Sequence, residues 1–353
     1  MPQPSDKCPC GSGELFKHCC RELGRMGDNE DLRSERVAII LAGGEGSRLK
    51  PLTSQIAGDD IPKQYCRLLS DHTLLDQTRS RVALAVDSAR TLIVVTRAHE
   101  CFYRPLLTNG CAPNMVVQPE NRGTAPAILY ALLRLAKRFP RAVVAVFPCD
   151  HYVSNDTFFM RHAELAFHAV AARPDQIVLL GITPDYPEPN YGWIDPSEAL
   201  AGTPLFRVRR FWEKPGPTAA GRLQRAGCLW NSFVFVAHLS TLILAIMRAA
   251  PALCSAFTSL RSSLGTTTEE ESVRQLYKSL SPSDFSKQVL EKCPEGLAVL
   301  PVCGVDWSDL GEPDRVLDIV HRTNAKPRWI RSDLSDPNGR LSALPTKPLI
   351  KEI

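Results

Sequence analysis

The stretch that most constrains this chain is Val37–Gln64, VAIILAGGEGSRLKPLTSQIAGDDIPKQ. Val37–Leu41 is an apolar run of strand length that opens directly into Ala42-Gly43-Gly44-Glu45-Gly46-Ser47-Arg48. A buried strand feeding a glycine-rich turn aims backbone N–H groups at a phosphate, because glycine allows close approach and positive φ. Cations follow at Arg48 and Lys50, and at Lys63 after Pro62. Together these residues predict a polyphosphate site. A P-loop fits poorly, since no Gly-Lys-Ser/Thr ending is present, and a dinucleotide fingerprint would need a glycine where Leu49 stands.

Downstream of this loop, apolar strands alternate with amphipathic helices. The pattern predicts strands Val37–Leu41, Thr91–Thr96, Met115–Gln118 and Ala142–Phe147, with helices Leu74–Val86, Glu100–Leu107 and Thr124–Phe139 between them. Helix Asp156–Ala172 and strands Gln176–Ile182, Phe206–Trp212 and Ala298–Val302 continue the series, with helix-forming segments from His238 to Leu280 expected outside the sheet. Alternation of this kind predicts an α/β fold with a mostly parallel central sheet and helices on both faces. Thr183–Pro196 contains four prolines and reads as a rigid loop. Among 353 residues, 42 basic and 38 acidic side chains are too evenly balanced to argue for nucleic acid.

No membrane partner is expected. The longest apolar stretch, Phe233–Met247, is interrupted by His238, Ser240 and Thr241 and falls short of the ~20 residues that span a bilayer. Met1–Cys20 lacks an apolar signal segment, so a cytoplasmic protein is expected. Of twelve cysteines, Cys66, Cys101, Cys111, Cys149, Cys228, Cys254, Cys293 and Cys303 are scattered singly and read as reduced small hydrophobes.

Two candidate sites fall at carboxyl ends of predicted strands, where open α/β sheets bind ligands. In Gln118-Pro-Glu-Asn-Arg122-Gly123-Thr124-Ala-Pro126, Thr124 is expected to cap a helix whose free N–H groups face a nucleotide. In Phe147-Pro148-Cys149-Asp150-His151, a carboxylate at a strand end near a polyphosphate loop is where a Mg²⁺ ligand is expected.

Leu-Ala-Gly-Gly-x-Gly-x-Arg-Leu-x-Pro-Leu-Thr over Leu41–Thr53, followed by Pro62-Lys63-Gln64, resembles the signature of sugar-phosphate nucleotidyltransferases. Asn-Arg122-x-Thr124-Ala-Pro and Trp307-Ser308-Asp309-Leu310-Gly311 resemble the mannose-1-phosphate guanylyltransferase branch. Tyr191-Gly192-Trp193-Ile194, Glu213-Lys214-Pro215 and Trp230-Asn231-Ser232 are similar to sugar-site segments of the family, in the same order. The resemblance, covering roughly Val37 to Thr323, implies a Rossmann-like three-layer nucleotidyltransferase fold. It implies transfer of a nucleotidyl group from an NTP, GTP first, to a hexose 1-phosphate, mannose 1-phosphate first. It also implies that Leu41, Ala42, Gly43, Gly44, Gly46, Ser47, Gln118, Arg122, Gly123 and Thr124 bind nucleotide. Gly192, Glu213, Lys214 and Asn231 would hold the sugar phosphate, Arg48 and Lys63 would neutralise the triphosphate, and Asp150 and Asp309 would bind Mg²⁺. Two residues depart from the family pattern, Gly123 in place of Asn and Phe233 in place of Gly. Glucose 1-phosphate with UTP or dTTP is the alternative substrate pair, and a non-catalytic sugar-nucleotide sensor the alternative class. Against the sensor stands the retention of Arg48, Lys63, Asp150, Lys214 and Asp309.

Before the catalytic segment, Cys8-Pro-Cys10-Gly-Ser-Gly-Glu-Leu-Phe-Lys-His-Cys19-Cys20 places four thiols in the compact set that a structural Zn²⁺ prefers. A pair of disulfides or a disordered tail is the less favoured reading in a cytoplasmic protein. The spacing resembles the SEC-C zinc module, which implies ligation by Cys8, Cys10, Cys19 and Cys20 and a protein partner for the module. The expected division is a zinc module at 1–24, a polar linker at 25–36, the nucleotidyltransferase domain at 37–325 and a tail at 326–353. Oligomeric state is left open, a homo-oligomer included.

Overall fold

A computed structural model describes residues 35–58, 60–106 and 114–330. The four clustered cysteines, most of the linker, Cys111 and the tail beyond residue 330 lie outside the described residues.

The sheet follows from runs that are apolar on both faces. Strands β1 (Arg36–Leu41), β2 (Thr91–Thr96), β3 (Met115–Gln118) and β4 (Val143–Pro148) come first. After them come the short β5 (Tyr152–Val153), then β6 (Ile177–Ile182), β7 (Gly192–Ala199) and β8 (Phe206–Glu213). The series ends with β9 (Leu229–His238), β10 (Leu297–Val302) and the short β11 (Trp307–Ser308). Nine of them form one sheet in the order β3-β2-β1-β4-β9-β6-β10-β8-β7, and β5 pairs with β11. The pairings β3–β2, β2–β1, β1–β4 and β6–β10 are parallel. Strand β9 runs antiparallel to β4 and β6, and β8 antiparallel to β10 and β7. Most strands therefore share one direction, with two reversed strands inserted.

Side chains of β1 alternate between two cores, as the pleat requires. Val37 and Ile39 join the core under helix Thr124–Arg138, while Ala38 and Ile40 join the core under helices Leu74–Val82 and Asp156–Ala172. The result is a three-layer α/β sandwich. Helices Leu239–Ala249, Pro251–Thr258 and Glu269–Ser279 pack on the first face, which accounts for the apolar stretch Phe233–Met247 as the end of β9 and the start of a helix that buries Leu239, Leu242 and Ile246. Among the described residues, no single helix is long and apolar enough to cross a membrane. A third core joins Leu49, Leu52 and Ile56 of the glycine-loop helix to Leu310, Val316 and Ile319 near the C-terminus. This core ties the two ends of the domain together beside the site.

Two expectations change. Gly192–Ala199 is a strand rather than part of a rigid loop, because it pairs with β8 from Gly192↔Glu213 to Ala199↔Phe206. Thr124 is the first helical residue rather than the cap; Gly123 takes the cap position, with φ 88 and ψ 178.

Candidate active site

The glycine loop is held by its carbonyls. Thr96 Oγ1 donates to Gly43 O at 3.0 Å, and Gln64 Nε2 donates to Ala42 O at 3.0 Å and to Gly44 O at 2.8 Å. Leu41, Gly44, Arg48, Lys63 and Gln64 then line a cavity of about 330 Å³. Thr124, Asp150, Gly192, Glu213, Lys214, Asn231 and Asp309 line the same cavity. Ala42, Gly43, Gly46, Ser47, Gln118, Arg122 and Gly123 do not line it; they form the loop and turn behind it. Gln118 accepts from the Tyr277 hydroxyl at 3.1 Å, and Arg122 donates to Tyr277 O at 3.1 Å.

Charges concentrate around the two aspartates. Lys63 is buried and its Nζ lies 3.0 Å from Asp150 Oδ2 and 2.7 Å from the Asp309 carbonyl. Asp309 Oδ1 accepts from Arg315 at 2.5 Å, from the Tyr191 hydroxyl at 3.1 Å and from the Gly311 N–H at 2.8 Å. Arg315 also pairs with Glu188 at 2.7 Å, and Arg48 with Glu312 at 2.9 Å. Burial raises the Asp150 and Asp309 carboxyls, but Lys63 and the other cations outweigh it and hold both below the usual carboxylate range. The imidazole of His151 stands 3.6 Å from Asp150 and edge-on to Trp307; burial lowers its pKa despite the carboxylate.

Mg²⁺ takes one or two protein carboxylates and completes its shell with water and substrate oxygens. Asp150 and Asp309 suit that demand, since both line the cavity and each keeps one oxygen outside its shortest ion pair. No group of three or more His, Cys, Asp or Glu forms a metal cage among the described residues.

The opposite wall is built by three strands. Gly192 faces Glu213 across β7 and β8, and Trp193 faces Trp230 across β7 and β9. A Cβ on Gly192 would stand 3.0 Å from Phe211 Cζ and 3.1 Å from both Glu213 Oε2 and Asn231 Cβ, so a side chain here would force these groups to give by a few tenths of an ångström. Adjacent strand residues point to opposite faces, yet Glu213 and Lys214 reach one cavity. Lys214 ends the strand with φ 52, which brings its Nζ to 3.7 Å from Glu213 Oε1. Burial, and then the neighbouring Asp284 carboxylate, push the Glu213 carboxyl up to about 7.

Backbone strain gathers at this site. Of the four non-glycine residues with positive φ among the described residues, Lys214 and Phe233 line the cavity and Leu310 follows Asp309. Left-handed φ costs roughly 1–2 kcal/mol for a residue with a Cβ, and such strain persists where function requires it. Sequence reasoning missed Asn190, Asp284 and Ser286, which line the cavity, and Glu188 and Arg315, which orient Asp309. In sequence, Arg315 looks like any exposed helix arginine.

A three-layer α/β sandwich brings a glycine turn, two cations and two carboxylates to one cavity at the carboxyl ends of its strands, where open α/β sheets bind ligands. Residues 37–326 match the nucleotidyl transferase family, and the chain belongs to that family. Residues 5–22 match the SEC-C motif. The chain is 31% identical over 290 residues to the xanthan biosynthesis protein XanB of Xanthomonas campestris pv. campestris (strain B100), covering 81% of this chain and 60% of that protein. It is 28% identical to mannose-1-phosphate guanylyltransferase 2 of Escherichia coli O157:H7, covering 80% of this chain and 59% of the relative. This chain thus spans about three fifths of the length of these relatives. Among solved structures, one described as mannose-1-phosphate geranyltransferase from Thermus thermophilus superposes with a TM-score of 0.68 at 30% identity, covering 80% and 79% of the two chains.

Proposed function

We propose that this chain joins an NTP and a hexose 1-phosphate into an NDP-hexose with release of pyrophosphate, and that GTP and α-D-mannose 1-phosphate are the preferred pair. The observation that carries this reading is a single cavity lined both by the glycine-loop cations and by Glu213, Lys214 and Asn231. Similarity to a mannose-1-phosphate guanylyltransferase supports the choice of substrates.

In this reading Gly44 and its neighbours cradle the triphosphate, and Arg48 and Lys63 neutralise the charge that moves onto pyrophosphate. Lys214 fixes the sugar phosphate, whose oxygen attacks the α-phosphorus in line, while Glu213 and Asn231 orient the sugar through its hydroxyls. The rate enhancement comes from positioning and charge neutralisation, with no covalent enzyme intermediate. Asp150 and Asp309 would hold Mg²⁺, which would supply positive charge to offset that of the reacting phosphates. Tyr191 and Arg315 keep Asp309 turned toward that position.

The division into a zinc module at 1–24, a linker at 25–36, a catalytic domain at 37–325 and a tail at 326–353 belongs to the same proposal. One Zn²⁺ on Cys8, Cys10, Cys19 and Cys20 folds the module, which recruits a protein partner. Dependence on cellular NTP suits a cytoplasmic enzyme. Product analysis tests the reading: GTP, mannose 1-phosphate and Mg²⁺ should give GDP-mannose and pyrophosphate in equal amounts. Failure of every NTP and hexose 1-phosphate pairing to release pyrophosphate would overturn it.

A further inference from the structure

Phe233 interrupts the regular course of β9. Leu179 of β6 pairs with Phe235 and Gly181 pairs with Asn231, so three residues of β9, Ser232 to Val234, stand against Leu180 alone. The bulge is fastened by its own side chains. Ser232 Oγ donates to Leu180 O at 2.6 Å and accepts from Val234 N, while Asn231 Oδ1 accepts from Phe233 N at 3.1 Å. Bulges of this kind recur beside active sites, where they re-aim a side chain.

Here the re-aimed residue has φ 58, a conformation that glycine would adopt without strain. Phe233 lines the cavity with Glu213, Lys214 and Asn231. Behind it, Phe235 and Phe285 pack edge-on at 5.9 and 6.4 Å and stack on each other at 5.1 Å. The ring is thus a braced apolar surface among polar groups, held by a backbone that folding alone would assign to glycine.

We infer that Phe233 is a specificity-determining residue, an aromatic wall against which the C–H face of the acceptor hexose packs while Glu213 and Asn231 take its hydroxyl edge. This rests on the reading of the cavity as a hexose 1-phosphate site. An epimer that turns a hydroxyl toward the ring must bury it without a hydrogen-bond partner, so epimeric hexose 1-phosphates are sorted at this wall.

The test compares kcat/KM for mannose, glucose and galactose 1-phosphates at saturating NTP in the full-length wild type, Phe233→Gly and Phe233→Leu. The ratio of best to worst acceptor should shrink at least tenfold in Phe233→Gly, mainly through KM for the sugar phosphate, with KM for NTP within twofold. Phe233→Leu, which keeps apolar bulk without the ring, should fall between and carries the test should the glycine variant not fold. An active wild type whose acceptor ratio is unchanged in the folded variants would overturn the role of Phe233 alone. A wild type inert toward all three acceptors would overturn the reading of the cavity beneath it.

Discussion

At Asp309 one carboxylate oxygen receives Arg315, Tyr191 and the Gly311 N–H, and the backbone carbonyl of the same residue receives Lys63. Arg315 bridges Asp309 to Glu188, and all three side chains are at most 15% exposed. Removing one partner of a buried ion pair strands the other's charge and costs about 3–5 kcal/mol. Arg315→Met should therefore lower the melting temperature clearly and depress kcat more than KM for either substrate. Unchanged melting and kinetics would show that the bridge does not position Asp309. Glu213 gives a pH prediction with the opposite sign from a salt-bridged acid. Its pKa rises from 4.5 to about 7, so the fold favours the protonated form. Stability is fully present below pH ~4.5, falls as pH rises toward about 7 and is level above, a loss of about 3 kcal/mol. Glu213→Gln keeps the neutral shape and should be more stable than wild type at pH 8 but not at pH 4.5, read by thermal denaturation at both values.

On the scale of elements, the turn Arg122–Ala125 is locked to the segment around Ser283. Ser283 N donates to Arg122 O, Ala125 N donates to Ser283 O, and Phe285 N donates to Thr124 Oγ1. A Cβ on Gly123 would lie 2.4 Å from Ser283 O at φ 88. Gly123→Ala should destabilise by at least about 2 kcal/mol, since the conformation is essentially reserved for glycine. Gly44→Ala, with nothing within 4 Å of the added methyl, should change stability by under ~0.5 kcal/mol and weaken NTP binding instead. Calorimetric stability with NTP titration separates the two variants. Most strands and helices up to β6 were legible in sequence because each carries a local apolar period, and Thr91–Thr96, Met115–Gln118 and Asp156–Ala172 agree in both bounds; helix Lys50–Ala57 and the two-residue Tyr152–Val153 were not. Gly192–Ala199 was not legible, since prolines mask a strand whose pairing is set by a partner in β8. Nor was the docking of Ser283 on Gly123, which joins segments about 160 residues apart and leaves no local pattern. Lys63 and Asp150, which line one cavity, could be singled out in sequence because one follows the glycine-rich turn and the other ends an apolar strand run. Arg315 acts through another side chain, so its position follows no such rule.

At the scale of the molecule, three cores among the described residues fix the cavity. Two lie on the faces of the sheet, and the third clamps the glycine-loop helix to the segment after Asp309. The SEC-C match at residues 5–22 lies outside this framework in sequence, and the four-thiolate zinc site proposed there would leave no open position for substrate. Deleting residues 1–35 should remove one zinc and leave kcat/KM within about threefold, under ~0.7 kcal/mol of transition-state stabilisation; metal analysis and steady-state kinetics check both. In the proposed reading one cavity has a nucleotide end at the glycine loop and a sugar phosphate end at Lys214. Isothermal titration of Lys214→Ala with each substrate alone tests it most directly. The prediction is at least a tenfold loss of affinity for mannose 1-phosphate, with GTP affinity within twofold of wild type. Loss of GTP binding with mannose 1-phosphate binding retained would contradict it.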